Sequence, residues 1–139
     1  MMRWRNTARL EQDLRELSRV FHLLVDDELQ FVIVRGLKLP PGYNLRNTEL
    51  LLVLPSDYPS SPPGVGGSPV YLSPALRLNG RTLDDLHDHR TPEFDTPGYG
   101  PWAWFCYEQV DWSPVRDNLI KFVEMVRADL TQPKTRWIF

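Results

Sequence analysis

The residue in this chain with the most reactive side chain is Cys106, the only cysteine. It lies in the run Trp102-Ala103-Trp104-Phe105-Cys106-Tyr107-Glu108-Gln109-Val110-Asp111-Trp112-Ser113-Pro114, which also holds three of the five tryptophans. A thiol in such a setting has two readings. Free cysteine is among the most buried residue types and packs as a small hydrophobe, and Trp104, Phe105 and Tyr107 resemble core residues. Alternatively, the thiolate is a nucleophile that attacks a carbonyl and holds an acyl group. No lysine or histidine adjoins Cys106 in the sequence, which suits a carrier relying on partners better than a self-sufficient hydrolase. Asp111 and Asp117 flank Trp112-Ser113-Pro114 and are candidates to orient an incoming amine and take its proton, with Tyr107 and Glu108 as further candidates. Asp117 also has a structural reading, as a carboxylate in the first turn of a helix.

A second polar cluster is His87 and His89 with Asp85 and Asp88. The HxH spacing suggests a metal, but structural zinc sites combine cysteine and histidine pairs, and this chain has one cysteine. The cluster reads as a solvated polar loop, so no metal and no cofactor is expected. The same histidines could serve Cys106 as a base, giving a cysteine hydrolase, but no local protease signature surrounds the cysteine.

These groups must be positioned by one domain of ordinary globular make-up, spanning 1–139. The net charge of −2 and pI near 5.9 provide no general attraction to nucleic acid or anionic lipid, so neither partner is expected. The lone cysteine forms no internal disulfide, no charged-then-apolar leader is read, and apolar runs such as Leu50-Leu51-Leu52-Val53-Leu54 are too short to cross a membrane. A cytoplasmic protein is expected.

Leu10, Leu14 and Leu17 recur at helical spacing over residues 7–20, with Arg9, Glu11, Gln12, Asp13, Arg15 and Glu16 on the other faces and Asn6 or Thr7 as the cap. Arg3, Arg5, Arg9, Arg15 and Arg19 make this helix basic, which is either a solvated face or a docking surface for an acidic partner. Three β-rich runs follow, at 21–25, 30–39 and 49–54, with short connections that join antiparallel neighbours. Val70-Tyr71-Leu72, between Pro69 and Pro74, reads as a fourth, edge strand. Most of the thirteen prolines fall between Pro40 and Pro114, which keeps that region out of helix. Residues 81–101 form a polar insertion with a short helical turn near 82–87, longer than most connections in compact domains. Ser113-Pro114 reads as a cap followed by a first-turn proline, and Val115, Leu119, Phe122, Val123, Val126 and Leu130 mark one face of a second helix over 114–130. A short tail, 131–139, follows. The expected architecture is α+β: an N-terminal helix, a four-stranded antiparallel meander, a long irregular region holding the candidate site, and a C-terminal helix. Both helices cover one face of the sheet.

Three ordered motifs carry a family resemblance. Leu54-Pro55-Ser56-Asp57-Tyr58-Pro59-Ser60-Ser61-Pro62-Pro63-Gly64-Val65 resembles the Tyr-Pro-x-x-Pro-Pro-x-Val segment of ubiquitin-conjugating enzymes; Ser73-Pro74-Ala75, leading to Asn79-Gly80, sits where that fold has His-Pro-Asn; and Trp112-Ser113-Pro114 matches the Trp-x-Pro after the active-site cysteine. The nearest resemblance is to the bacterial group called prokaryotic family E, associated with ubiquitin-like proteins, activating enzymes and antiviral defence. It implies a carrier that accepts a ubiquitin-like protein from an activating enzyme as a Cys106 thioester and passes it to a target protein. Arg3, Arg5, Arg9, Arg15, Tyr58, Pro62 and Pro63 would meet partners, and Asp111 and Asp117 would assist Cys106. Two departures stand out. The family asparagine is Ala75 here, and the usual cysteine position soon after Asn-Gly is Leu83, with Cys106 reached only after the insertion. A non-catalytic module of the same fold, holding a ubiquitin-like partner, is the alternative.

Overall fold

The computed structural model describes residues 5–138. Helix α1 (Thr7–Ser18) is followed by strands β1 (His22–Val25), β2 (Phe31–Lys38), β3 (Asn47–Val53), β4 (Val70–Leu72), β5 (Thr82–Leu83), β6 (Leu86–His87) and β7 (Ala103–Phe105), then by helix α2 (Leu119–Asp129) and strand β8 (Thr135–Arg136). The expected α+β class holds, with antiparallel pairing throughout, but the four-stranded meander is the first part of a six-stranded sheet of order β1-β2-β3-β4-β7-β6. β4 is therefore an interior strand and not an edge, because β7 pairs with it through Val70↔Phe105, Tyr71↔Trp104 and Leu72↔Ala103. A second ribbon joins β5 to β8, so the segment after α2 is tied down rather than trailing as a tail.

α1 starts where Asn6 accepts from the Arg9 N–H, and it buries Leu10, Leu14 and Leu17. Asp13, expected on its polar side, is only 3% exposed, because Arg9 at 2.9 Å and the Tyr58 hydroxyl both bond its carboxylate. α2 begins later than the expected 114. Asn118 caps it, accepting from the Lys121 N–H at 2.9 Å, while Ser113 and Pro114 open a separate turn in which Asp117 N–H donates to Ser113 O. Val115, assigned to the apolar stripe by its spacing, is consequently 91% exposed. The helical turn expected near 82–87 is replaced by β5 and β6, because their backbones find partners in β8 and β7.

The helices and the sheet's inner face form one core, with Leu10, Leu17, Val32, Leu52, Leu72, Phe105, Phe122 and Val126 among its buried members. Alternation along the strands sends Phe31, Ile33, Leu51, Val53 and Tyr71 to the opposite face. That face is not open to solvent. Phe94, Tyr99, Trp102 and Trp104 pack over it, with the Phe94 ring tilted against Phe31 at 5.0 Å and Arg35 lying 5.6 Å over the Tyr99 ring. The polar insertion thus supplies a second apolar cover.

Candidate active site

Trp112-Ser113-Pro114 acts as a brace. The Trp112 indole N–H donates to Pro59 O at 2.8 Å and its ring lies 6.0 Å from that of Tyr58, so the turn is fastened to the proline segment. Arg9 reaches across from α1, donating to Pro114 O at 2.7 Å and to Asp117 O. The proline segment is held at its other end by Arg5, which donates to Leu54 O and Pro55 O, and by Asn6 N–H donating to Tyr58 O at 2.9 Å. Gly64 closes the arrangement: its φ is +98°, and a Cβ there would lie 3.2 Å from Phe122 and 3.4 Å from Tyr107 and Val110, so a side chain would push the proline segment off α2.

Cys106 stands one residue beyond β7 and is half-buried. Its N–H continues the ladder, donating to Asp85 O at 2.8 Å. Phe105 and Tyr107 turn toward α2, where their rings meet edge to face at 5.4 Å and the Tyr107 hydroxyl donates to Asp129 at 2.8 Å. The pleat therefore gives Cys106 to the face of Trp104. There Arg90 lies 4.8 Å over the Trp104 ring, and His87, tilted, and His89, edge-on, pack against the same indole at 5.6 and 6.1 Å. Partial burial raises the Cys106 thiol pKa, the Asp85 and Glu108 carboxylates raise it further, and Arg90 opposes them. The resting group is a thiol, and Asp85, Glu108 and Arg90 are the charges that shift it.

The motif at Ser73, Pro74 and Ala75 lies at the other end of the strand pair. The β4–β7 register sets Cys106 at the Pro69 end and Ser73 at the Trp102 end, where Ser73 and Trp102 share a small cavity. Four residues of strand separate the two, roughly 13 Å. The 73–77 loop is braced instead by Asn44, whose amide donates to Ala75 O and accepts from Arg77 N–H, both at 2.8 Å. Leu83, at the position of the usual cysteine, is buried in β5.

The other sequence-derived candidates divide by burial. Asp111 is exposed beside the brace, whereas Asp117 is engaged within it, accepting from Ser113 N–H at 2.6 Å and facing Lys121 at 3.7 Å. Tyr58 and Pro63, expected to meet a partner, are buried, Tyr58 completely, because its ring fills the space between α1 and Trp112. Pro62 is half-buried. Arg5 and Arg9 are occupied by backbone carbonyls and Asp13, which leaves Arg15, exposed and loosely paired with Glu11 at 3.7 Å, as a basic group of α1 open to a partner. Arg3 lies outside the described residues.

A family model described as prokaryotic E2 family E matches residues 8–133. The chain belongs to prokaryotic E2 family E. No curated protein and no solved structure matches it. The family match runs from α1 past α2, so it spans the insertion and Cys106 along with the three motifs. The E2-like class is one of conjugating enzymes that work with ubiquitin-like proteins and activating enzymes. Within this E2-like chain, the cation beside Trp104 that no motif singled out is Arg90. Its signal was weak: one arginine following His87-Asp88-His89 has no partner until β6 is paired with β7. Among the described residues no cluster of three or more His, Cys, Asp or Glu side chains could hold a metal ion, and no helix is long and apolar enough to cross a membrane.

Proposed function

We propose that this chain is a conjugating-enzyme-type acyl carrier and that Cys106 is its acceptor. In the first step the Cys106 thiolate attacks the C-terminal carbonyl of a ubiquitin-like protein held as a thioester on an activating enzyme. The new S–C bond forms, the enzyme's S–C bond breaks, and the departing thiolate takes up a proton. In the second step an amine of a target protein attacks the same carbonyl, the Cys106 sulfur leaves, and the amine's proton passes to a nearby carboxylate or to water. Asp111 is the exposed carboxylate beside the brace and fits that role. Asp117 serves by shaping the turn that carries it.

The observation that carries the reading is the position of the only thiol in an E2 family chain, half-buried at the end of a sheet strand and shortly before the Trp112 brace. Its raised pKa agrees with a carrier whose partners bring activated carbonyls, and Arg90 on Trp104 is a cation suited to the oxyanion formed in each transfer. A cysteine hydrolase would need a base acting on the thiol, and the ring contacts of His87 and His89 are with Trp104. The non-catalytic binding module draws support from Ala75, which stands where the family motif has asparagine, and from the distance between Cys106 and the 73–75 loop. Antiviral defence is the biological setting we propose, on the strength of the resemblance to family E.

Incubation with activating enzyme, ubiquitin-like protein and ATP is expected to give an adduct that reductant cleaves and that Cys106→Ala does not form. A chain that binds the ubiquitin-like protein without forming the adduct would establish the binding-module reading. Survival of the adduct in Cys106→Ala would move the chemistry to another residue. Phage challenge of cells carrying the system with and without Cys106→Ala tests the defence setting.

A further inference from the structure

A recess of about 350 Å³ opens between the β5–β8 ribbon and the β6–β7 edge of the main sheet. Its polar wall is cationic. Arg77, from the loop after β4, and Arg136, from β8, line it together with His87 and His89, and the carboxylate in the lining is Asp88. Arg77 donates through one nitrogen to Pro74 O at 3.1 Å and Leu76 O at 2.8 Å, which are uncharged acceptors, and among the described residues no carboxylate pairs with it. Arg136 has a loose counter-ion, Asp84 at 3.6 Å from its Nε, beyond good hydrogen-bond length. Two arginines on separate elements therefore line one cavity, with Asp88 in the same lining and Asp84 beside Arg136, and Arg77 is the one that no carboxylate among the described residues offsets.

We propose that this recess binds a phosphate monoester carrying a small apolar group. The phosphate's charge of about −2 and its three acceptor oxygens suit two arginines carried by separate elements of the lining. Leu83, Leu86 and Ile138 supply the apolar part of the wall, and the volume is at the small end of the range for ligand pockets. Ala103 lines the recess and Cys106 lies three residues further along the chain, roughly 10 Å in strand. The site is thus separate from the thiol, and its existence does not depend on thioester chemistry.

Phenyl phosphate titrated into the full chain at fixed ionic strength, followed through the amide signals of Leu86, His87 and His89, is expected to give saturating shifts. Inorganic phosphate is expected to bind more weakly, and benzoate more weakly still. Arg77→Gln and Arg136→Gln are each expected to weaken phenyl phosphate about tenfold, the size of one lost charge-assisted hydrogen-bond set. Lys38→Gln, on a distant strand, and Cys106→Ala are expected to leave it unchanged. Because Arg77 also ties down two carbonyls, Arg136→Gln, whose side chain is largely exposed, keeps the test readable if Arg77→Gln fails to fold. The absence of saturating shifts, unchanged affinity in Arg136→Gln, or benzoate binding as tightly as phenyl phosphate would overturn the proposal.

Discussion

The two faces of the central sheet are covered in different ways. On one, α1 and α2 lay regular apolar stripes against Val32, Leu52, Leu72 and Phe105, and Leu10, Leu17, Phe122 and Val126 are nearly or fully buried there. On the other, a strap without helical or long strand structure sets Phe94 and Tyr99 over Phe31, Ile33, Leu51, Val53 and Tyr71. Helices satisfy their own backbone hydrogen bonds and can devote a whole face to packing. The strap must satisfy its backbone through turns, so it contributes isolated aromatic anchors separated by polar residues. The helix-covered face is therefore the main source of stability. The strap-covered face carries the chemically versatile groups, since Cys106, Trp104, Arg90, His87 and His89 gather on its side.

The sharpest way to break this contrast is to truncate one anchor on each side. Phe122→Ala, in the helix-covered core, is expected to cost about 3–5 kcal/mol in denaturant unfolding, since it leaves a cavity among fully buried neighbours. Asp13→Ala is expected to cost about 2–4 kcal/mol by the same measurement, because it removes the shared acceptor of Arg9 and the buried Tyr58 hydroxyl. Phe94→Ala is expected to cost only about 1–2 kcal/mol, and to speed proteolytic cleavage within 88–101 more than elsewhere. If Phe94→Ala destabilises as much as Phe122→Ala, the two faces are equal partners and the contrast fails.

The smallest effects concern the thiol. Burial, Asp85 and Glu108 raise the Cys106 pKa, so the thiolate is scarcer than for a free cysteine near neutral pH, and alkylation is expected to be slow and to accelerate as pH rises. Asp85→Asn removes a raising influence and is expected to increase the rate at a fixed pH. Arg90→Gln removes the lowering one and is expected to decrease it. Each change is expected to stay within about tenfold, the factor that one pKa unit makes in thiolate fraction. Equal rates in both variants, followed with iodoacetamide, would mean that neither charge reaches the sulfur.

The helices, the first three strands and the α+β class were legible because they rest on local periodicity: Leu10, Leu14 and Leu17 for α1, Phe122, Val123 and Val126 for α2, and β-rich runs for β1 to β3. The family motifs were legible too, since Tyr58-Pro59 and Trp112-Ser113-Pro114 are contiguous residues. Among the short strands only β4 was legible, in the run Val70-Tyr71-Leu72, though as an edge and not an interior strand. β7 is three residues inside an aromatic run, and β5 and β6 are two residues each, so only the presence of partner strands gives them strand geometry. The start of α2 lies at Asn118 and not at Ser113-Pro114 for a related reason: a capping sequence closes a single turn as readily as it opens a helix, and Asn118 supplies the second cap.

The sequence by itself therefore determined the class of fold, the framework of helices and long strands, and the identity of the only residue able to carry a thioester. Tertiary structure decided where that residue faces. Long-range pairing of β4, β6 and β7 brought Asp85 and Arg90 to Cys106 and moved the 73–75 loop to the far end of the strand. Local propensity acts over a few residues, whereas the surroundings of Cys106 depend on a register between strands separated by a long insertion. One residue of slip would have turned the thiol toward α2.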